Sequence, residues 1–183
     1  MHILTLRNRP AAEALTAPPS TGRQHLAAVI RIAFGVVWAV DAAFKWLPGF
    51  VHGQVLAHQF AIHSQVTTPV IHQWIQLWSH VAAASPPGFA IGTAVVETLI
   101  ALGLLTGAFS NAVFIGSAIY SFGIWSAAEA FGLPWNAPGI TDVGPSVGYV
   151  IASLALFCCA AGTTWSVDQV IRPKLQRLRA LSN

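Results

Sequence analysis

The stretch GFAIGTAVVETLIALGLLTGAF, Gly88 to Phe109, carries one ionisable residue, Glu97, among apolar and small ones. Its length is close to the roughly 20 residues that cross about 30 Å of hydrocarbon as a helix. It lacks the apolar/polar alternation of a barrel strand. In lipid the backbone must hydrogen-bond within its own segment, so a spanning helix is the expected form. Glu97 sits near the middle of that span. A carboxylate at this depth is costly unless it is paired, hydrated or protonated. It is therefore either a proton carrier or ligand-facing acid, or half of a buried ion pair that fixes helix packing.

Working outward, three more apolar segments run over about 26–46, 111–131 and 147–165. The stretches over 88–109 and 111–131 are joined by almost nothing, Ser110 and Asn111, which predicts an antiparallel helical hairpin. Composition agrees. Of 183 residues, 55% are hydrophobic and 8% charged, where soluble domains carry about a quarter. So few charges cannot clothe a soluble domain of this size. The pI of about 9.3 comes from only nine Lys and Arg gathered towards the two ends, not from a nucleic-acid-binding stripe.

Those cations set the topology. Between Trp46 and Ile171 there are none; Arg7, Arg9, Arg23, Arg31 and Lys45 precede, and Arg172, Lys174, Arg177 and Arg179 follow. Both termini are expected in the cytoplasm, as four crossings allow. The expected organisation is a flexible cytoplasmic tail over 1–25, a membrane domain over 26–165 with an outer loop over 47–87, and a basic cytoplasmic tail over 166–183. The fold class is all-α integral membrane: a four-transmembrane-helix bundle with an amphipathic helical outer loop, in a bacterial or archaeal cytoplasmic membrane.

The outer loop has its own pattern. From Val70 to Ala82, Val70, Ile71, Trp74, Ile75, Leu77, Trp78 and Val81 share one helical face, and His72, Gln73, Gln76, Ser79 and His80 the other. This amphipathic helix is expected to lie on the outer surface or cap the bundle. A weaker helix is expected over about 53–65. Pro69, Pro86 and Pro87 punctuate the loop.

Further candidates surround Glu97. Arg31 lies about one turn inside the first span, with a side chain long enough to reach towards Glu97. Asp41 and Lys45 stand at i,i+4 and read as an interfacial ion pair. Glu129 and Asp142 join Asp41 towards the outer surface, with Trp38, Trp46, Trp125 and Trp135 at similar depth. Acids beside flat aromatic walls can hold a quinone head group and exchange its protons; the plainer reading is an aromatic belt with hydrated carboxylates. Five of the seven histidines (His52, His58, His63, His72 and His80) fall in the outer loop, yet no two are spaced i,i+3 or i,i+4. An outer-face copper or zinc site is thus an alternative, and no metal is the expectation. The adjacent Cys158 and Cys159 form no metal spacing and read as small buried packing residues, with a redox pair as the alternative.

The stretch RIAFGVVWAVDAAFKW (31–46) resembles the first helix of DoxX-like membrane proteins, and AVVETLIALGLLTG (94–107) resembles their second. WSAAEAFGLPW (125–135) and GITDVGPSVGY (139–149) are similar to the DoxD branch, named for the small subunit of an archaeal thiosulfate:quinone oxidoreductase. The resemblance implies a four-helix membrane protein partnering a redox system at the quinone level. The residues matching the family pattern are Arg31, Lys45, Glu97, Glu129 and Asp142. It further implies quinone as cofactor, and a redox partner subunit or a second copy of the chain as partner. A non-catalytic assembly or anchoring subunit is the alternative from another class. The long outer loop and the N-terminal tail depart from the minimal family pattern.

Overall fold

The computed structural model describes residues 21–52, 54–63, 66–132 and 142–171. Among them every regular element is helical: α1 (Thr21–Lys45), α2 (Pro48–Val51), α3 (Gln54–His63), α4 (Pro69–Ala84), α5 (Pro86–Thr106), α6 (Ser110–Ala127) and α7 (Ser146–Cys158). Short 3-10 turns lie at Ala130–Gly132 and Ala161–Thr163. Two helices, α1 and α5, are long and apolar enough to cross a membrane, each with a mean hydropathy of 1.9 over its most apolar window.

Local chemistry sets the boundaries. Proline opens α2, α4 and α5, where its missing N–H costs nothing and its φ is already helical. Gly107 ends α5 in the left-handed conformation (φ 66°), its N–H bonded back to the Gly103 carbonyl. The helices expected over 53–65 and about 70–82 are present as α3 and α4.

Three expected boundaries are corrected. Residues 21–25, assigned to a flexible tail, are the first turn of α1; residues 1–20 lie outside the described residues. The helix expected over 111–131 stops at Ala127, because Ala130, Phe131 and Gly132 all take positive φ and turn the chain. The helix expected over 147–165 stops at Cys158. The chain turns left-handed at Ala160, passes a 3-10 turn, extends at Thr164 and resumes helix at 167. Cys158 and Cys159 are exposed at this end rather than buried packing residues.

The main helices associate as two pairs. α1 packs chiefly on α5, and α6 on α7. Gly35 lets the first pair close: a Cβ there would stand 3.0 Å from the backbone nitrogen of Leu105. In the second pair, Ser110, Phe114, Ser117, Ala118 and Ser121 form the buried stripe of α6, and Ser117 and Ser153 share a hydroxyl hydrogen bond of 2.9 Å. The expected α5–α6 hairpin is therefore loose, since each helix takes its main partner elsewhere.

Trp38 of α1 joins the pairs. It is 2% exposed, and its ring meets Tyr149 of α7 at 5.2 Å and Tyr120 of α6 at 6.1 Å. A second apolar cluster (Phe60, Val66, Ile75, Ala82, Ala127 and Ala130) seats α3 and α4 against the end of the bundle. Replacing Trp38 with Ala should lower stability by about 3–5 kcal/mol, the usual cost of truncating a buried tryptophan. Thermal unfolding in mild detergent would show it as a large fall in Tm, whereas Phe44→Ala, at a 61% exposed position on the same helix, should change Tm little.

Candidate functional site

The end of α1 that carries Lys45 holds a polar cluster drawn from α1, α5, α6 and α7. Glu97 of α5 is 2% exposed. Lys45, in the last turn of α1, places Nζ 3.6 Å from Glu97 Oε2. Tyr120 of α6 donates its hydroxyl to Glu97 Oε1 at 3.2 Å. Beside them Tyr149 of α7 donates to Asp41 Oδ2 at 2.6 Å, and Asp41 lies within electrostatic range of Glu97. Trp38 lies among the two tyrosine rings. Trp46 Nε1 donates to Thr98 Oγ1 at 3.0 Å, which ties the top of α1 to α5.

Lys45 is more accessible than the carboxylate it pairs with. Its side chain is 28% exposed against 3% for that of Glu97, and its ammonium sits 5.1 Å from the centre of the Phe50 ring of α2. Glu97 thus meets its surroundings chiefly through Lys45. Two buried polar atoms in the cluster have no hydrogen-bond partner: Trp38 Nε1 and Glu97 Oε2, whose contact with Lys45 is an ion pair too long for a hydrogen bond. The cluster therefore retains unused donor and acceptor capacity.

Arg31 does not reach Glu97. It is fully buried about 21 Å along α1 from Lys45, at about 1.5 Å per residue over fourteen residues. Its guanidinium donates to the carbonyls of Ala161 (3.0 Å), Thr164 (3.2 Å) and Trp165 (2.6 Å). This is why the last apolar segment leaves the helix early: the turn after α7 presents its carbonyls to Arg31. Asp168 lies within electrostatic range of Arg31. Its carboxylate accepts from the N–H groups of Phe109 and Ser110, both at 2.8 Å, and so caps α6, which has no side-chain cap of its own. Gly107 is squeezed between Arg31 Nη1 and Ser166, where no side chain fits. Arg31 and Asp168 together lock three chain segments at this end.

The expected Asp41–Lys45 pair is likewise replaced, Lys45 turning to Glu97 and Asp41 to Tyr149. Glu129 performs a second remote capping: Oε2 accepts from the N–H of Ser146 at 3.2 Å and Oε1 from its hydroxyl at 2.5 Å, at the first turn of α7. Asp142 accepts from the N–H of Gly144 at 2.8 Å, and Trp125 Nε1 donates to the Val143 carbonyl at 2.7 Å. Glu129, Asp142 and Trp125 therefore hold the chain that re-enters α7, with Glu129 within electrostatic range of Tyr149. Trp135 lies outside the described residues. Among the described residues no three His, Cys, Asp or Glu side chains gather as a metal-ligand set.

Sequence reasoning missed Tyr120, Tyr149 and Asp168. The signal for the tyrosines was available: they are the only two in the chain, both in apolar segments, where a phenol needs a partner. Asp168 carried no local signal, since the helix it caps starts 58 residues earlier. Comparison with known protein families, characterised proteins and solved structures returns no match for this chain.

Asp168→Ala should lower stability by about 1–2 kcal/mol, as for a lost helix cap. Arg31→Met should cost at least as much, because three carbonyls lose their donor. Thermal unfolding of both variants in detergent checks these values. Neither substitution should disturb the Glu97 cluster.

Proposed function

We propose that this chain is a multi-pass subunit of a membrane redox assembly and handles protons at the quinone level, as its resemblance to DoxX-like proteins implies. In this reading α1, α5, α6 and α7 all cross a bacterial or archaeal cytoplasmic membrane. Both termini are cytoplasmic, and α2, α3 and α4 form the outer cap. The Arg31 lock then faces the cytoplasm and the Glu97 cluster lies in the outer half of the bilayer.

The observation that carries the reading is the buried Lys45–Glu97–Tyr120 set. An ion pair in an apolar bundle contributes little net stability compared with well-packed apolar residues. Three polar groups from three helices at one point, with hydrogen-bonding capacity left over, suit a group that must gain and lose a proton. Quinol oxidation releases protons as electrons leave the ring. Glu97 accepts such a proton, Lys45 balances the carboxylate charge and passes towards the outside, and Tyr120 orients the carboxyl. Asp41 and Tyr149 form the neighbouring acid–phenol pair. Electrons are exchanged with a partner subunit, which supplies the redox centre.

A second reading, an assembly or anchoring subunit, is favoured by one feature of α4. Val70, Trp74, Leu77 and Val81 lie on one helical face and are 77%, 37%, 53% and 46% exposed. That stripe offers a partner an apolar docking face.

The two readings separate on Glu97→Gln. In membranes containing the co-purifying assembly, oxidation of added quinol at neutral pH should fall by about a hundredfold or more, the usual contribution of a positioned acid–base group. An unchanged rate in a correctly assembled complex would remove Glu97 from the mechanism and favour the anchoring subunit.

A further inference from the structure

The seam between α5 and α6 is open where so short a connection would favour close packing. On α5, Gly92, Val96, Leu99 and Gly103 recur along one face, and on α6 Ala112, Gly116 and Gly123 do the same. At the Arg31 end the two faces meet: a Cβ on Gly103 would lie 2.5 Å from a methyl of Val113. Farther along they part, and a Cβ at Gly92, Gly116 or Gly123 would meet nothing within 4 Å. The gap is an open groove of about 290 Å³ lined by Val96, Leu99, Ile100, Ala112, Val113 and Gly116, with Leu99 61% exposed on its wall. A helix-interior glycine costs roughly 0.5–1 kcal/mol relative to alanine. Gly116 gains no close helix contact in exchange, and its physical effect is to keep the slot wide.

The slot has a polar edge and a roof. Tyr120 stands one turn beyond Gly116, and its hydroxyl crosses the same seam to Glu97, the neighbour of Val96. Farther out α4 covers the seam: Trp74 Nε1 donates to Ser126 Oγ of α6 at 3.1 Å, and the Trp78 ring meets Phe89 of α5 at 6.4 Å. The result is an open apolar groove that narrows at Gly103 and Val113, with the phenol–carboxylate bond one turn beyond Gly116 and α4 farther out. Such a groove suits a long-chain amphiphile with a hydrogen-bonding head.

We propose that the α5–α6 slot seats the isoprenoid chain of a quinol and so brings its head group to Tyr120 and Glu97. The inference rests on the quinone reading above and adds the route by which the ligand arrives. Val96, Leu99 and Ile100 supply branched walls, and Ala112 and Gly116 the flat floor on which the chain lies. Entry is sideways from the bilayer, where a quinol is dissolved.

The test uses the full chain in mild detergent, with a ubiquinone bearing a two-isoprene tail as the probe. Binding is read from quenching of tryptophan fluorescence. Gly116→Leu should weaken this probe by about tenfold or more, leave binding of the tail-free head-group analogue unchanged, and not lower Tm, since a side chain there has room. Ala112→Leu, on the same floor of the slot, serves if the first variant does not fold. If the tailed quinone binds wild type and variant equally, the slot assignment is overturned while the quinone reading stands. If Gly116→Leu strips a co-purified phospholipid and leaves quinone affinity unchanged, the slot holds an acyl chain and the assignment is again overturned. If wild type binds neither quinone, both fall.

Discussion

One carboxylate in an apolar interior organises this molecule. Glu97 stands at 2% exposure in the middle of α5, and such a group stays only where its charge or proton is accommodated. Lys45 and Tyr120 provide that accommodation from two other helices. Much of the architecture follows. α1 must lie beside α5 so that the cation at its end reaches Glu97, and Gly35 permits that approach farther down the same contact. α6 must present Tyr120 across the seam, and Trp38 fills the space between Tyr120 and Tyr149. The helix pairs α1–α5 and α6–α7 are thus joined by a polar bridge and an aromatic one at the same level.

The other charged groups close the ends. Each of the second pair of helices starts without a side-chain cap of its own, and each receives a carboxylate from far along the chain: Asp168 for α6 and Glu129 for α7. Orphaned N–H groups at a helix start have no partner in an apolar setting, so these caps matter more than they would in water. Arg31 does the corresponding work for the carbonyls that follow α7. The split is consistent: Arg31, Asp168 and Glu129 satisfy backbone, whereas Glu97, Lys45, Tyr120, Asp41 and Tyr149 satisfy one another. Only the second set has partners that can change without unravelling a helix end.

The apolar segments were legible because long runs with so few charges are helices, and the prolines marked where α4 and α5 begin. Glu97 was legible because one acid in such a run must find a partner or carry a proton. Its partner was not. Reach alone made Arg31 plausible, but reach ignores which face of α1 each cation occupies and what else competes for it. The carbonyls after α7 compete for Arg31, and they arise from a break in helix that is easy to overlook, because residues 159–165 carry no charge; Gly162, Thr163 and Thr164 were the only local hint of it. Asp41 and Lys45 looked like a pair by spacing, yet each found a better partner on another helix. Long-range caps such as Asp168 leave no trace in local sequence, because the residues that need them lie in a different segment.

Lys45 is what holds Glu97 in place, and a double-mutant cycle in a native-like bilayer or detergent measures that. Stability is determined for Lys45→Met, Glu97→Met and the double substitution, and in parallel for Arg31→Met combined with Glu97→Met. The expected result is a coupling of about 1–3 kcal/mol between positions 45 and 97, with positions 31 and 97 simply additive. Additivity at 45 and 97, or coupling that appears at 31 and 97 instead, would contradict it.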